Sequence, residues 1–258
     1  MSGFLERVTG ARRADAARRR AAGALSLAQA AARAAGKPRD FVGALAAPGL
    51  SLVAEIKRAS PSAGDILRDA RPADFARAYE SGGASAISVL TEPDHFRGSL
   101  DDLREAREAA NLPVLRKDFL CDALHVWEAR AAGADGVLLI VAALSQTELV
   151  TLADLAADLG MAALVEAHSA GEVDRAVQAG ARVVGINTRD LTTLAVDPAT
   201  VAKLRPLVPE GILVVGESGV ATRDDAREMA SAGVDAILVG EAVMRAPDPA
   251  AKIRELLG

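Results

Sequence analysis

Lys57 and Lys117 are two of only five lysines in a chain that carries 25 arginines. Arginine keeps its charge at any working pH, whereas a lysine withdrawn from water can give up its proton. Each of the two closes an apolar run, Leu52-Val-Ala-Glu-Ile-Lys57 and Leu115-Arg-Lys117. A titratable amine at the end of a buried strand suits proton transfer rather than charge for its own sake. Carboxylates stand at matching places: Glu55 on the run of Lys57, then Glu166 and Glu217 at the ends of two later runs. Side chains alternate along a strand, so Glu55 and Lys57 share one face. These five groups could also be interior ion pairs closing the mouth of a barrel, since polar groups among apolar side chains need partners.

Small residues give a second signal. Glu217-Ser218-Gly219-Val220 and Gly240-Glu241 each follow an apolar run, and Ser60-Pro61-Ser62 follows the first one. Such loops let backbone N–H groups approach an anion, and a hydroxyl can add to them. Asn187 and Arg189, in Asn187-Thr-Arg-Asp190, supply an amide and a guanidinium, the latter suited to gripping a carboxylate at two points. Aromatic residues are only 3% of the chain, and Phe96 and Phe119 follow the second and third runs, where they could line a pocket or simply pack a loop. His168 reads as structural, and Trp127 and Tyr79 as helix residues facing the core. No set of His, Cys and carboxylates has metal-ligand spacing.

The elements that must carry these residues repeat. Apolar runs fall at 51–56, 86–90, 113–116, 136–141, 162–165, 183–186, 212–215 and 236–239, each followed by a helix-length segment. Alternating strand and helix means parallel strands with crossover helices. A Gly-Ala-like step recurs just before strands, at Gly83-Ala84, Gly133-Ala134, Gly180-Ala181 and Gly233-Val234, spaced by 50, 47 and 53 residues. The glycine predicts a left-handed helix cap, and the spacing predicts two strand-helix units per step. Four double units make eight strands, and the expectation is a closed (β/α)8 barrel. An open doubly wound sheet is the alternative, but no Gly-x-Gly-x-x-Gly follows a first strand.

At 258 residues, half of them hydrophobic, the chain can build one large core. Residues 1–48 read as a helical extension packed on a barrel of residues 49–258, within a single domain. The extension is rich in Ala and Arg, as a transit peptide is, but Glu6 and Asp15 interrupt the basic face and serine is scarce. No apolar run nears the ~20 residues of a membrane span, and no signal-peptide core is seen at the N-terminus. One cysteine, Cys121, fits a reducing cytoplasm. A net charge of −5 argues against a nucleic-acid surface. An anionic ligand must then be met by a local positive pocket.

Taken in order, Ala54-Glu-Ile-Lys-Arg-Ala-Ser-Pro-Ser62, Leu115-Arg-Lys-Asp-Phe119, Leu164-Val-Glu166, Gly185-Ile-Asn-Thr-Arg-Asp-Leu191 and Glu217-Ser-Gly219 resemble the indole-3-glycerol-phosphate synthases. The resemblance covers essentially the whole chain. It implies ring closure of 1-(2-carboxyphenylamino)-1-deoxyribulose 5-phosphate with loss of CO2 and water. It implies Lys117 as general acid on the sugar carbonyl, and Glu166 as the carboxylate that stabilises the developing cation and assists proton removal. It gives Lys57, held by Glu55, the substrate carboxylate and a possible part in protonating the departing hydroxyl. Asn187, Arg189 and Glu217 would meet the ring carboxylate and the hydroxyls. Phe96, Phe119 and Leu191 would sandwich the aromatic ring, and Ser60, Ser218, Gly219, Gly240 and Glu241 would cradle the phosphate. No metal, organic cofactor or obligatory protein partner is implied. Ala63, Thr188, Gly216 and the pair Leu124-His125 depart from the family's frequent residues without removing a group assigned to chemistry.

Two rival functions remain at this stage. A sugar-phosphate isomerase of the same barrel type would want Cys/Asp or paired Asp at strand ends, and the first run offers Glu55 and Lys57 instead. A barrel reduced to a non-catalytic scaffold would have lost Lys117 or Glu166, and both are present.

Overall fold

The computed structural model describes residues 3–190 and 195–258. Eight parallel strands close into a barrel: β1 (Ser51–Ile56), β2 (Ala86–Leu90), β3 (Val114–Lys117), β4 (Gly136–Ile140), β5 (Ala162–Ala167), β6 (Val183–Asn187), β7 (Leu213–Glu217) and β8 (Ala236–Val239). Each strand pairs with its sequence neighbours, and β1 pairs with both β2 and β8, so no edge is left open. Helices cover the outside, which makes the fold a (β/α)8 barrel. The third and seventh strands run further than the apolar runs suggested, and Lys117 and Glu217 are their last residues.

Strand alternation sorts the side chains into two cores. Leu52, Ala54 and Ile56 of β1, with their counterparts on the other strands, pack outward against the helices. Val53, Ala86, Leu115, Leu138, Leu164, Val183, Val215 and Ala236 point inward and fill the barrel. The same parity carries Glu55, Lys117, Glu166, Asn187 and Glu217 to the inside of its C-terminal end. The four glycines expected as helix caps have φ of +93°, +89°, +73° and +87° at Gly83, Gly133, Gly180 and Gly233. Helix starts are fixed by side-chain caps, among them Ser99, Asp122, Ser169 and Thr222.

The N-terminal segment forms α1 (Phe4–Ala21), α2 (Ala24–Ala34) and α3 (Phe41–Leu45). Arginines of α1 reach the barrel. Arg12 pairs with Asp118 at 2.7 Å and Arg20 with Asp122 at 2.9 Å, while Arg13 meets Glu148 and Arg19 meets Glu128. These partners follow β3 and β4, so α1 lies by the C-terminal mouth. α2 packs on the helix Ala123–Ala131. Beyond it the backbone N–H of Arg39 donates to Asp135 Oδ1 at 2.7 Å, and Phe41 and Leu45 join the inward core from the opposite end. One continuous segment thus touches both ends of the barrel. Among the described residues no helix is long and apolar enough to cross a membrane.

Candidate active site

At the centre of the mouth, Lys117 Nζ donates to Glu166 Oε2 at 2.8 Å and lies 3.0 Å from Glu217 Oε2. Lys117 and Glu217 end β3 and β7, Glu166 is the last residue but one of β5, and both carboxylates are buried. Burial favours the neutral amine, but the charges of Glu166, Glu217 and Glu55 outweigh it and raise the Lys117 pKa. Burial likewise favours a neutral carboxyl at Glu166, where the adjacent ammonium wins and lowers the pKa. At Glu217 burial and the Glu166 charge prevail over Lys117 and push the pKa up to about 8. Near neutral pH the two carboxyls therefore hold one proton between them. Glu217 Oε1 lies against Gly185, where any side chain would collide with it, and finds no hydrogen-bond partner among the described residues.

Across the mouth, Lys57 Nζ lies 3.0 Å from Glu55 Oε1. Ser88 Oγ donates to the other Glu55 oxygen at 3.3 Å, and the Tyr79 hydroxyl donates to the Glu55 carbonyl at 3.0 Å. Gly240, just past β8, sits so close that a Cβ there would come within 2.6 Å of Glu55 Oε1 and 3.1 Å of Lys57 Nζ. Glycine at this point is a packing requirement as well as an opening.

Asn187 Oδ1 accepts hydrogen bonds from Ser218 Oγ at 2.9 Å and from the backbone N–H of Arg189 at 3.0 Å. This fastens the end of β6 to the loop after β7. In that loop Ser218 and Gly219 are both left-handed, with φ of +68° and +82°. A non-glycine residue held there is uncommon, and such conformations gather at functional sites. The rings of Phe96 and Phe119 lie 6.2 Å apart.

Every residue assigned from the sequence lines one cavity of about 490 Å³, except Leu191, which lies outside the described residues. Ser60 enters from a short antiparallel ribbon, Ala59–Ser60 with Gly64–Asp65. Glu241 opens the short helix Glu241–Met244, and its carboxylate pairs with Arg245 at 2.9 Å. Among the described residues no group of three or more His, Cys, Asp and Glu could hold a metal ion.

Several neighbours escaped the sequence reading. Phe4 of α1 lines the cavity and meets the Phe119 ring at 6.1 Å. Arg116, next to Lys117 and pointing outward, is fully buried. It donates to Thr91 Oγ1, Asp118 Oδ2 and the His125 carbonyl at 3.0, 2.8 and 2.6 Å. His168, read as structural, lies with Nε2 3.4 Å from Glu166 Oε1. Its spacing of two from Glu166 was the available signal.

The chain matches the family model for indole-3-glycerol phosphate synthase over residues 5–256. It is 51% identical to the indole-3-glycerol phosphate synthase of Mycobacterium avium (strain 104) over 245 residues, covering 95% of this chain and 90% of that protein. Identity is 50%, with the same coverage, to the protein of that name from Mycobacteroides abscessus. Among solved structures, thiamine phosphate pyrophosphorylase from Pyrococcus furiosus aligns with a TM-score of 0.62 at 24% identity, covering 84% of this chain and 96% of that one. A mutant tryptophan synthase alpha-subunit from the same organism aligns at 0.61 and 16%, covering 81% and 98%. At such identities these two show the barrel fold alone. The family model and the half-identical relatives both span nearly the whole chain, which belongs to the indole-3-glycerol phosphate synthase family of decarboxylating lyases in tryptophan biosynthesis.

Proposed function

We propose that this chain closes the indole ring of 1-(2-carboxyphenylamino)-1-deoxyribulose 5-phosphate with loss of CO2 and water. The observation that carries the reading is Lys117 held between Glu166 and Glu217 in a cavity that also holds the Lys57–Glu55 pair. Lys117 is the general acid: its raised pKa keeps the ammonium charged until the sugar carbonyl gains electron density and takes the proton. Glu166, kept ionised, stabilises the cation that forms when the ring carbon attacks, and later accepts the proton lost from carbon. Lys57, oriented by Glu55, holds the carboxylate that leaves as CO2 and can protonate the departing hydroxyl. Glu217 meets the substrate hydroxyls, and Asn187 and Arg189 orient the ring and glycerol ends. Phe96, Phe119 and Leu191 clasp the aromatic ring.

The phosphate sits against Ser60, Ser218, Gly219, Gly240 and Glu241. Left-handed backbone at Ser218 and Gly219 and the crowding at Gly240 support this placement. Acids and bases suffice for the reaction, and no cofactor enters the scheme. Residues 1–48 serve as an extension docked on a barrel of residues 49–258, supported by the ion pairs of α1. The single cysteine, a buried free thiol, supports a cytoplasmic setting.

Purified protein given the substrate should release a fluorescent indole product, and absence of that product removes the reading. Gly219→Val should fold and raise KM by about tenfold or more, because Val196 already lies 3.1 Å from where a Cβ would stand and φ is positive. Unchanged saturation kinetics would take the phosphate away from this loop.

A further inference from the structure

Past the end of β5, Glu166 is followed by two acid–base groups that the scheme above does not use, His168 and Glu172. Glu166 gives Oε2 to Lys117, and its Oε1 lies 3.4 Å from His168 Nε2. The other ring nitrogen, Nδ1, lies 3.3 Å from Glu172 Oε2, which also accepts the His168 backbone N–H at 2.8 Å. Glu172 stands in the first turn of the helix Ala170–Gln178, whose cap is Ser169. Side-chain exposure climbs along the row, from 2% at Glu166 through 14% at His168 to 20% at Glu172. His168 and Glu172 do not line the cavity. The row therefore runs from the reacting centre to more exposed side chains outside the cavity lining.

We propose that Glu172 and His168 form a proton-supply line to Glu166, with His168 a positioning residue that acts through that carboxylate. The inference rests on the ring-closure reading, because that reaction has a proton deficit. Attack of the ring carbon sends the carbonyl π pair to oxygen, which takes a proton from Lys117. Loss of CO2 returns the broken bond's electron pair to the ring and quenches the cation. A second proton on the same oxygen lets it depart as water. One proton then leaves carbon for Glu166. Two protons are spent and one is recovered, so each cycle consumes one, matching a carboxylate released as neutral CO2. Glu166 can return its own proton to Lys117 across their 2.8 Å contact. The remaining proton must come from solvent.

The charges around His168 suit this task. Facing it are Glu166 on β5, Glu172 on the following helix and Glu217 on β7, with the Lys117 ammonium beyond Glu166. Burial opposes a charged imidazole, but the Glu172 hydrogen bond and the charges of Glu166 and Glu172 outweigh it and raise the His168 pKa above its ordinary value. The ring is thereby charged further toward neutral pH and can pass on a proton and be refilled. Nε2 is buried and has no hydrogen bond to any described residue, so its approach to Glu166 is not yet aligned for transfer.

His168→Asn and Glu172→Gln in the full-length chain test the line. The measurements are kcat and KM against pH, each repeated over a range of imidazole buffer concentrations. In His168→Asn, kcat should fall about tenfold on the alkaline side of neutrality, and less in acid, while KM stays within about twofold, and imidazole should restore turnover in proportion to its concentration. Glu172→Gln should fall less, with the same buffer response. Parent-like kcat in both variants across the range overturns the proposal. So does a loss that is uniform with pH and indifferent to imidazole, which marks a packing role. If His168→Asn fails to fold, the more exposed Glu172→Gln carries the same decision. A parent that makes no indole product breaks the ring-closure reading itself, whereas an active parent with indifferent variants sinks only the supply line.

Discussion

Lys57 and Lys117 are the same residue on the same rim, yet their surroundings differ. Lys117 ends its strand and touches two buried carboxylates, one from β5 and one from β7. Lys57 stands one residue past the end of β1 and, among the described residues, pairs with Glu55 alone. Their side chains are 13% and 18% exposed, so burial barely separates them. The number of neighbouring carboxylates does. A lysine flanked by an ionised and a protonated carboxyl sits among groups that can take its proton and give it back. A lysine with one partner is a positioned charge. The barrel sets these surroundings by strand neighbours, not by residue type.

The largest expected effect is at Lys117. Lys117→Arg keeps the charge but holds its proton too tightly and crowds the strand end, so kcat should fall by ~10^2–10^4 with the fold intact. Steady-state kinetics beside a circular dichroism spectrum checks this. Near-parental turnover would move the proton donor to Lys57.

Glu217→Gln sharpens the comparison by leaving Lys117 a single carboxylate. The folded pKa of Glu217 lies near 8, above its ordinary 4.5, so the proton it keeps stabilises the fold at low pH. That contribution is complete below about pH 4.5 and is lost as pH rises through about 8. Glutamine has no proton to lose. Measured by thermal melts, the Tm of the variant relative to the parent should therefore climb by a few degrees from about pH 5 to about 8 and then level off. A difference independent of pH would mean that Glu217 is ionised throughout.

Lys57→Arg should do least. An arginine can hold a carboxylate as well as a lysine can, so kcat should stay within about tenfold and KM should carry most of the change. A kcat loss as deep as that of Lys117→Arg would erase the distinction between the two sites.

The sequence made the barrel readable because two periodicities agreed, the strand-helix alternation and the glycine caps that recur about every fifty residues. It made the mouth readable because alternation along a strand fixes which side chains point inward, as at Glu55, Glu166 and Glu217. What escaped depends on contacts that no period encodes. Phe4 and Arg12 reach the site from a helix more than a hundred residues away in sequence. His168 lies beyond the end of β5, where strand alternation no longer guarantees a direction. Arg116 breaks the pattern outright, an outward strand position that reads as apolar but carries a buried guanidinium met by Thr91, Asp118 and a carbonyl.

The helices that touch both ends of the barrel also dictate an order of assembly. Residues 4–45 leave the ribosome before the barrel strands, yet Arg12 waits for Asp118 and Arg13 for Glu148, separations of 106 and 135 positions. The leading segment therefore stays undocked until more than half of the chain has emerged. Contacts of such high sequence separation close slowly, since loop entropy is lost before they return anything. Docking of α1 is thus a late step in folding. During that interval the apolar faces of Val8 and Phe41, buried in the finished fold, lie open to solvent and to other nascent chains.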